Sequence, residues 1–200
     1  MAQAAPPPLA KLRIAKLADV LPRLDLAPPT AALLVGCPDA AAAFLLLQER
    51  GIPVDACKLA AHALPGREAV WWACMCARHT APAQPAATAE AMLTAAELWV
   101  RKPTDENRRA AFALALESGF QSPEAWAAVA AFWNGDSMSP LGQPVVPPPP
   151  DAPGRAVAGA VALASVRDHP ERHVRRLARF LDSAGDIAGG GPGHIGHEDA

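Results

Sequence analysis

The sequence predicts an all-α fold: antiparallel helical hairpins packed as a bundle or short helical array around a buried central helix. Three observations carry this expectation. Hydrophobic residues make up 51% of the chain, much of that being alanine, while aromatics reach only 5% and tyrosine is absent. Alanine is the best helix former, and a β-sandwich or barrel would draw on β-branched and aromatic residues instead. Helix punctuation recurs along the chain, with a polar cap or proline opening a segment and glycine or proline closing it. Finally, LPGREAVWWACMCARH, Leu64 to His79, is apolar without interruption from Ala69 to Ala77. A helix that is apolar all round is a buried one. This run is too short to span a bilayer, which needs roughly 20 residues.

Taken in order, residues 1–8 read as a disordered proline–alanine tail, and residues 9–135 as the main helical domain. Leu9 to Leu24 has the pattern of a short amphipathic helix, with Lys11, Arg13, Lys16 and Arg23 opposite a leucine-rich face. Such a helix can dock on a membrane or partner, or fold onto its own core. The adjoining LAPPTAALLVGCPDA reads as broken by Pro28, Pro29, Gly36 and Pro38. Asp39 caps a helix that stops at Gly51. Pro53 opens the next, which carries Val54, Cys57, Ala61 and Leu64 at helical spacing. Pro65 ends it and starts the central helix. Thr88 to Lys102 comes next, with an apolar stripe of Met92, Ala95, Ala96, Trp99 and Val100. Thr104 and Ser122 cap two further helices that end at Gly119 and Gly135. Residues 136–154 form a proline-rich strap, whose four consecutive prolines favour polyproline II. Residues 155–184 hold the C-terminal helices, and the glycine-rich residues 185–200 read as a disordered tail.

The balance of charge excludes little but favours little. A formal net charge of −2 and a pI near 6.3 give no global attraction to nucleic acid or anionic lipid. No apolar run is long enough for a membrane span, and no signal-peptide core is evident. The four cysteines do not form a secreted disulfide framework, so a reduced, cytoplasmic setting is expected. Oligomeric state is left open.

Candidate chemistry is sparse. Cys74 and Cys76 stand about 200° apart on a helix and lack a second pair, so packing outweighs metal binding. His169 and His173 share a helical face, but Pro170 occupies the position where a zinc-protease helix places its glutamate. Phosphate loops, dinucleotide fingerprints and nucleophile elbows do not occur in the sequence. No cofactor and no metal site is implied. Arg172, Arg175, Arg176 and Arg179 recur at i, i+3, i+4, i+7 and form a candidate basic face. Val174, Leu177, Ala178 and Leu181 form the opposing apolar stripe. Four arginines on one face suit an acidic protein surface or a phosphate. Nucleic acid is disfavoured because no aromatic residues interleave with them. The alternative is a polar cluster of His62, Arg67, Glu68 and His79 around the central helix, serving a small ligand or a reaction.

Three segments together resemble a known family. They are LAAHALPGREAVWWACMCAR, then AELWVRKPTDENRRAAFALALESG with SPEAWAAVAAFWNGDSMSP, then the proline strap and the small apolar helix after it. Over most of residues 40–166 the chain is similar to an uncharacterised family of bacterial all-helical proteins, a domain of unknown function. The features that carry the resemblance are Pro65 to Trp72, Trp99 with Pro103, Arg108 with Arg109, and Phe132 to Pro140. The resemblance implies no particular reaction. Some members are encoded beside secretion-system genes, particularly type VI, which implies a protein partner. The expectation from sequence is therefore a non-catalytic, cytoplasmic protein-interaction module, an adaptor or accessory protein.

Overall fold

A computed structural model describes residues 8–198; the expected N-terminal tail lies almost wholly outside them. Among the described residues there are ten α-helices and no strand. They are α1 (Leu17–Val20), α2 (Pro28–Leu34), α3 (Ala40–Glu49), α4 (Pro53–Ala63), α5 (Gly66–His79), α6 (Ala87–Arg101), α7 (Asp105–Ser118), α8 (Pro123–Trp133), α9 (Ala152–Val166) and α10 (His173–Ala188). The all-helical architecture read from the sequence is the one observed. No helix among the described residues is long and apolar enough to cross a membrane.

The caps work as their chemistry dictates. The Asp39 carboxylate accepts from the Ala42 amide at 2.8 Å, and the Thr104 and Ser122 hydroxyls accept from Asn107 and Ala125 at 3.2 Å. Each satisfies a donor that has no partner inside the helix. Gly119 closes α7 at φ +75°, a left-handed geometry costly to residues with a Cβ.

The amphipathic pattern over Leu9 to Leu24 does not form one helix. Lys16 is extended, and only α1 and the 3-10 turn after it are helical. Leu9, Leu12, Leu17, Val20 and Leu24 are nonetheless buried, so this arm folds onto the chain's own core. Lys11 pairs with Glu68 at 3.1 Å and Arg13 with Asp39 at 3.3 Å. The segment expected to be broken at Pro28 and Pro29 holds a helix instead. The two prolines occupy the first turn of α2, where an amide proton is not needed.

α5 is the interior element. It packs against α4, α6, α8, α9 and α10. Trp72, Ala73, Cys74, Cys76 and Ala77 are wholly covered, and Trp71 alone of the paired tryptophans is half-buried. The Trp72 indole donates to the Phe180 carbonyl at 2.8 Å, which ties α5 to α10. α8 and α9 lie side by side on this core although the strap separates them in sequence. Both helices bury small side chains, among them Ala127, Ala128 and Ala131 of α8 and Ala156, Ala160 and Ala164 of α9. Small side chains let such helices approach closely.

The strap is fastened at its start. Arg108 donates to the carbonyls of Phe132 (3.2 Å) and Ser137 (2.8 Å), and Arg109 to that of Ser139 (2.8 Å). Phe112 stacks on Phe132 with centroids 4.1 Å apart, and the Arg108 guanidinium lies 5.0 Å from the same ring.

The C-terminal boundaries need correction. α9 begins at Ala152 rather than after residue 154, and α10 continues to Ala188. Residues 189–198, expected to belong to a disordered tail, are instead held in place. They turn back and lie against α5 and α10, with Ile195 packed on the core. Composition argues for disorder, but the anchors come from residues distant in sequence.

Candidate functional site

The C-terminal segment runs along α5 from Trp71 toward Ala81. Gly193 donates to the Asp186 carboxylate at 2.7 Å, and its carbonyl accepts from the Ser183 hydroxyl at 2.6 Å. The Trp71 indole donates to the Pro192 carbonyl at 2.7 Å. His79 Nδ1 donates to the Gly196 carbonyl, and His197 Nε2 to that of Ala81 at 2.7 Å. The Glu198 amide then donates to the His79 carbonyl at 2.8 Å.

This path delivers the Glu198 carboxylate to the basic face of α10. Oε2 lies 2.6 Å from Arg176 Nη2 and 3.4 Å from Arg172 Nη1, while Oε1 lies 2.9 Å from Arg175 Nη2. Burial alone would raise the pKa of this carboxyl. The hydrogen bonds from Arg176 and Arg175 outweigh that effect and hold it at about 2.

The four arginines are not equivalent, contrary to the even stripe read from the sequence. Arg176 is 2% exposed. Its guanidinium also donates to the carbonyls of Ser165 (3.2 Å), Arg167 (2.6 Å) and His169 (3.3 Å), closing the C-terminal end of α9. A cation there complements both the unpaired carbonyls and the helix dipole. Arg175 is largely exposed, with 64% of its side chain accessible. Arg179 is exposed and makes no ion pair among the described residues. The apolar stripe shifts correspondingly: Val174 is 70% exposed and Ala178 is exposed, while Phe180 is fully buried.

Together Arg172, Arg175, Arg176 and Arg179 line a cleft of about 540 Å³ with His79, His194, His197, Ile195, Gly196 and Glu198. Among the described residues lining it, Glu198 supplies the one carboxylate against these four arginines. The cleft is polar and open, and the anionic group the arginines hold there is the Glu198 carboxylate.

The alternative cluster is dispersed. Arg67 and His79 stand at opposite ends of α5, roughly 18 Å apart along its axis. Arg67 donates to the Val100 carbonyl at 2.8 Å, and Glu68 is held by Lys11. His62 packs its ring on the backbone of Gly154, where a Cβ would collide with Nδ1. Burial, then the charge of Arg23, push its pKa down to about 4. Of the four residues, only His79 reaches the arginine cleft.

Two other arrangements resemble chemistry without supplying it. Burial drives the Cys57 thiol up to about 12 and moves Cys74 and Cys76 upward as well. All three are thereby kept as inert packing groups. Ser165 Oγ lies 2.8 Å from His173 Nδ1, but its proton goes to the Ala162 carbonyl at 2.7 Å, so the histidine is the donor. Ser165 is also completely buried, so this pair cannot reach a substrate as nucleophile and base.

A family of unknown function, DUF6931, matches residues 43–188. The chain belongs to this family. No curated protein and no solved structure matches it. The DUF6931 span ends with α10, so the four arginines lie inside it and Glu198 lies beyond it. It also takes in the Arg108–Phe132 fastening and the buried pair of Glu124 with Arg167, whose second hand reaches the Ala77 carbonyl at 3.3 Å. Sequence reasoning does not single out Arg167, Phe180 or Glu198. The one local signal for Glu198 is Ile195, an apolar residue among glycines and polar groups.

Proposed function

We propose that this chain is a non-catalytic, cytoplasmic protein-interaction module, an adaptor or accessory of the kind a secretion apparatus employs. It holds an acidic segment of its partner in the arginine–histidine cleft beside α10. The observation that carries this reading is Glu198: the cleft already grips a carboxylate with three arginines, at distances suited to charge-assisted hydrogen bonds. Arg179, exposed and without an ion pair among the described residues, leaves a cationic group for a further acid, and Arg175 is largely exposed beside it. The catalytic alternative loses support because His62, Arg67, Glu68 and His79 are dispersed over the fold.

The test is fluorescence anisotropy with a labelled glutamate-rich peptide. Binding should weaken steadily as salt rises, since ion pairing dominates it. It should vanish in the double variant Arg175→Glu, Arg179→Glu. Absence of binding to the wild-type chain, or identical binding by the variant, overturns the reading.

A further inference from the structure

We infer that residues 189–198 are an intramolecular stand-in for the partner. The groove between α5 and α10 then recognises an extended segment of the pattern glycine, histidine, aliphatic, any residue, histidine, acid. This rests on the carboxylate-reading role proposed for the cleft and names what else the partner must carry.

The pattern comes from the surroundings of each position. Along the groove, Trp71, Ser183 and His79 donate to main-chain carbonyls at Pro192, Gly193 and Gly196. Main-chain recognition of this kind accepts any extended segment and sets its register. Side chains also contribute at His194, whose ring meets Trp71 edge-on with centroids 5.8 Å apart, and at His197, whose Nε2 donates to the Ala81 carbonyl at 2.7 Å. The other side-chain demands arise at three places. Gly193 is buried at φ +66°, and a Cβ there would collide with Ile187 Cγ1. Only glycine meets both conditions. Two residues on, Ile195 packs against the core. Three further on, Glu198 enters the arginines. Gly196, by contrast, has nothing within 4 Å of its Cβ position, so glycine is not required there.

The tail is suited to leave. It is joined to α10 through Gly189, Gly190 and Gly191, with Gly190 at φ +98°. Such a linker imposes little stiffness on the residues beyond it. An incoming segment of the same pattern therefore competes with an occupant tethered close by, at an effective concentration in the millimolar range. Weakening the tail's own anchor should uncover the groove.

The experiment uses the full chain and a fluorescein-labelled peptide of residues 189–198, amidated at its C-terminus. The Glu198→Gln protein should bind this peptide at least tenfold more tightly than the wild-type protein does. The peptide changes Gly193→Ala and Glu198→Gln should each remove that binding. Equal affinity for the two proteins, or binding that ignores the peptide changes, overturns the inference. The glutamate-rich peptide is run beside it. If that peptide binds and the tail peptide does not, the pattern is wrong while the cleft's role stands; if neither binds, both fall. Circular dichroism of the Glu198→Gln protein confirms that its helices are intact.

Discussion

Two arginine clusters, one at Arg108 and Arg109 and the other at Arg172 to Arg179, use the same chemistry to different ends. Arg108 and Arg176 are both almost completely buried, and both donate to backbone carbonyls of a segment leaving a helix. The difference is the origin of the countercharge. Asp105 serves Arg108 and Arg109 from one turn earlier in α7. The ion pairs of that cluster lie within its own helix, so its countercharge is not carried on a separate segment. Arg176 takes its carboxylate from Glu198, 22 residues away and beyond a glycine linker. On the proposed reading, its partner departs while the helices stay in place. Whether an arginine cluster is a fastener or a receptor is thus decided less by the arginines than by how their counterion is tethered.

The comparison is broken most severely at the fastener. Arg108→Met should cost about 3 kcal/mol in urea unfolding, because the Phe132 and Ser137 carbonyls lose their buried donor. If it costs no more than an exposed arginine does, the distinction between fastener and receptor fails. At the receptor, Gly193→Ala should raise the free energy of the docked tail by about 1–2 kcal/mol through its left-handed backbone. Amide exchange at Gly191 and Glu198 should quicken about tenfold or more, with the global unfolding midpoint little moved. Loss of global stability instead would make the tail an integral part of the core.

Acid provides a graded version of the same test. The Glu198 carboxyl has an ordinary value near 4.5 when the tail is free and about 2 when it is docked. Its contribution is complete above about 4.5 and is lost as pH falls toward 2. Tail amides followed by NMR should therefore lose protection over that interval. Constant protection through it would deny Glu198 its anchoring part. Arg179→Ala should have the smallest effect on stability, within about 0.5 kcal/mol, since it makes no ion pair among the described residues. It should still weaken the glutamate-rich peptide.

Local chemistry explains what is legible in the sequence. The caps at Asp39, Thr104 and Ser122 depend on residues within one turn, and the buried character of α5 follows from its own apolar run. Fold class emerges from the same short-range signals. The arginines of the candidate site can be grouped by helical spacing, but not ranked. Which of them is buried depends on where the last carbonyls of α9 fall, and those lie outside α10. The tail escapes sequence reasoning for the same reason: GGGPGHIGHEDA has the composition of a free chain, and the order of residues 189–198 comes from Trp71, Ser183 and Arg176. Pro28 and Pro29 look like breakers because proline ends a helix interior, yet it begins a helix equally well. Nothing local says which side of the helix boundary they occupy.

The sealed thiols of α4 and α5 supply a clock. Cys57, Cys74 and Cys76 are covered and held as neutral thiols, while Cys37 is only half-buried. A maleimide should therefore label Cys37 early and reach the other three together, only when the helical body comes apart. Lifting of the tail would leave those three silent, so a single mass spectrum could separate an opened groove from an unfolded molecule.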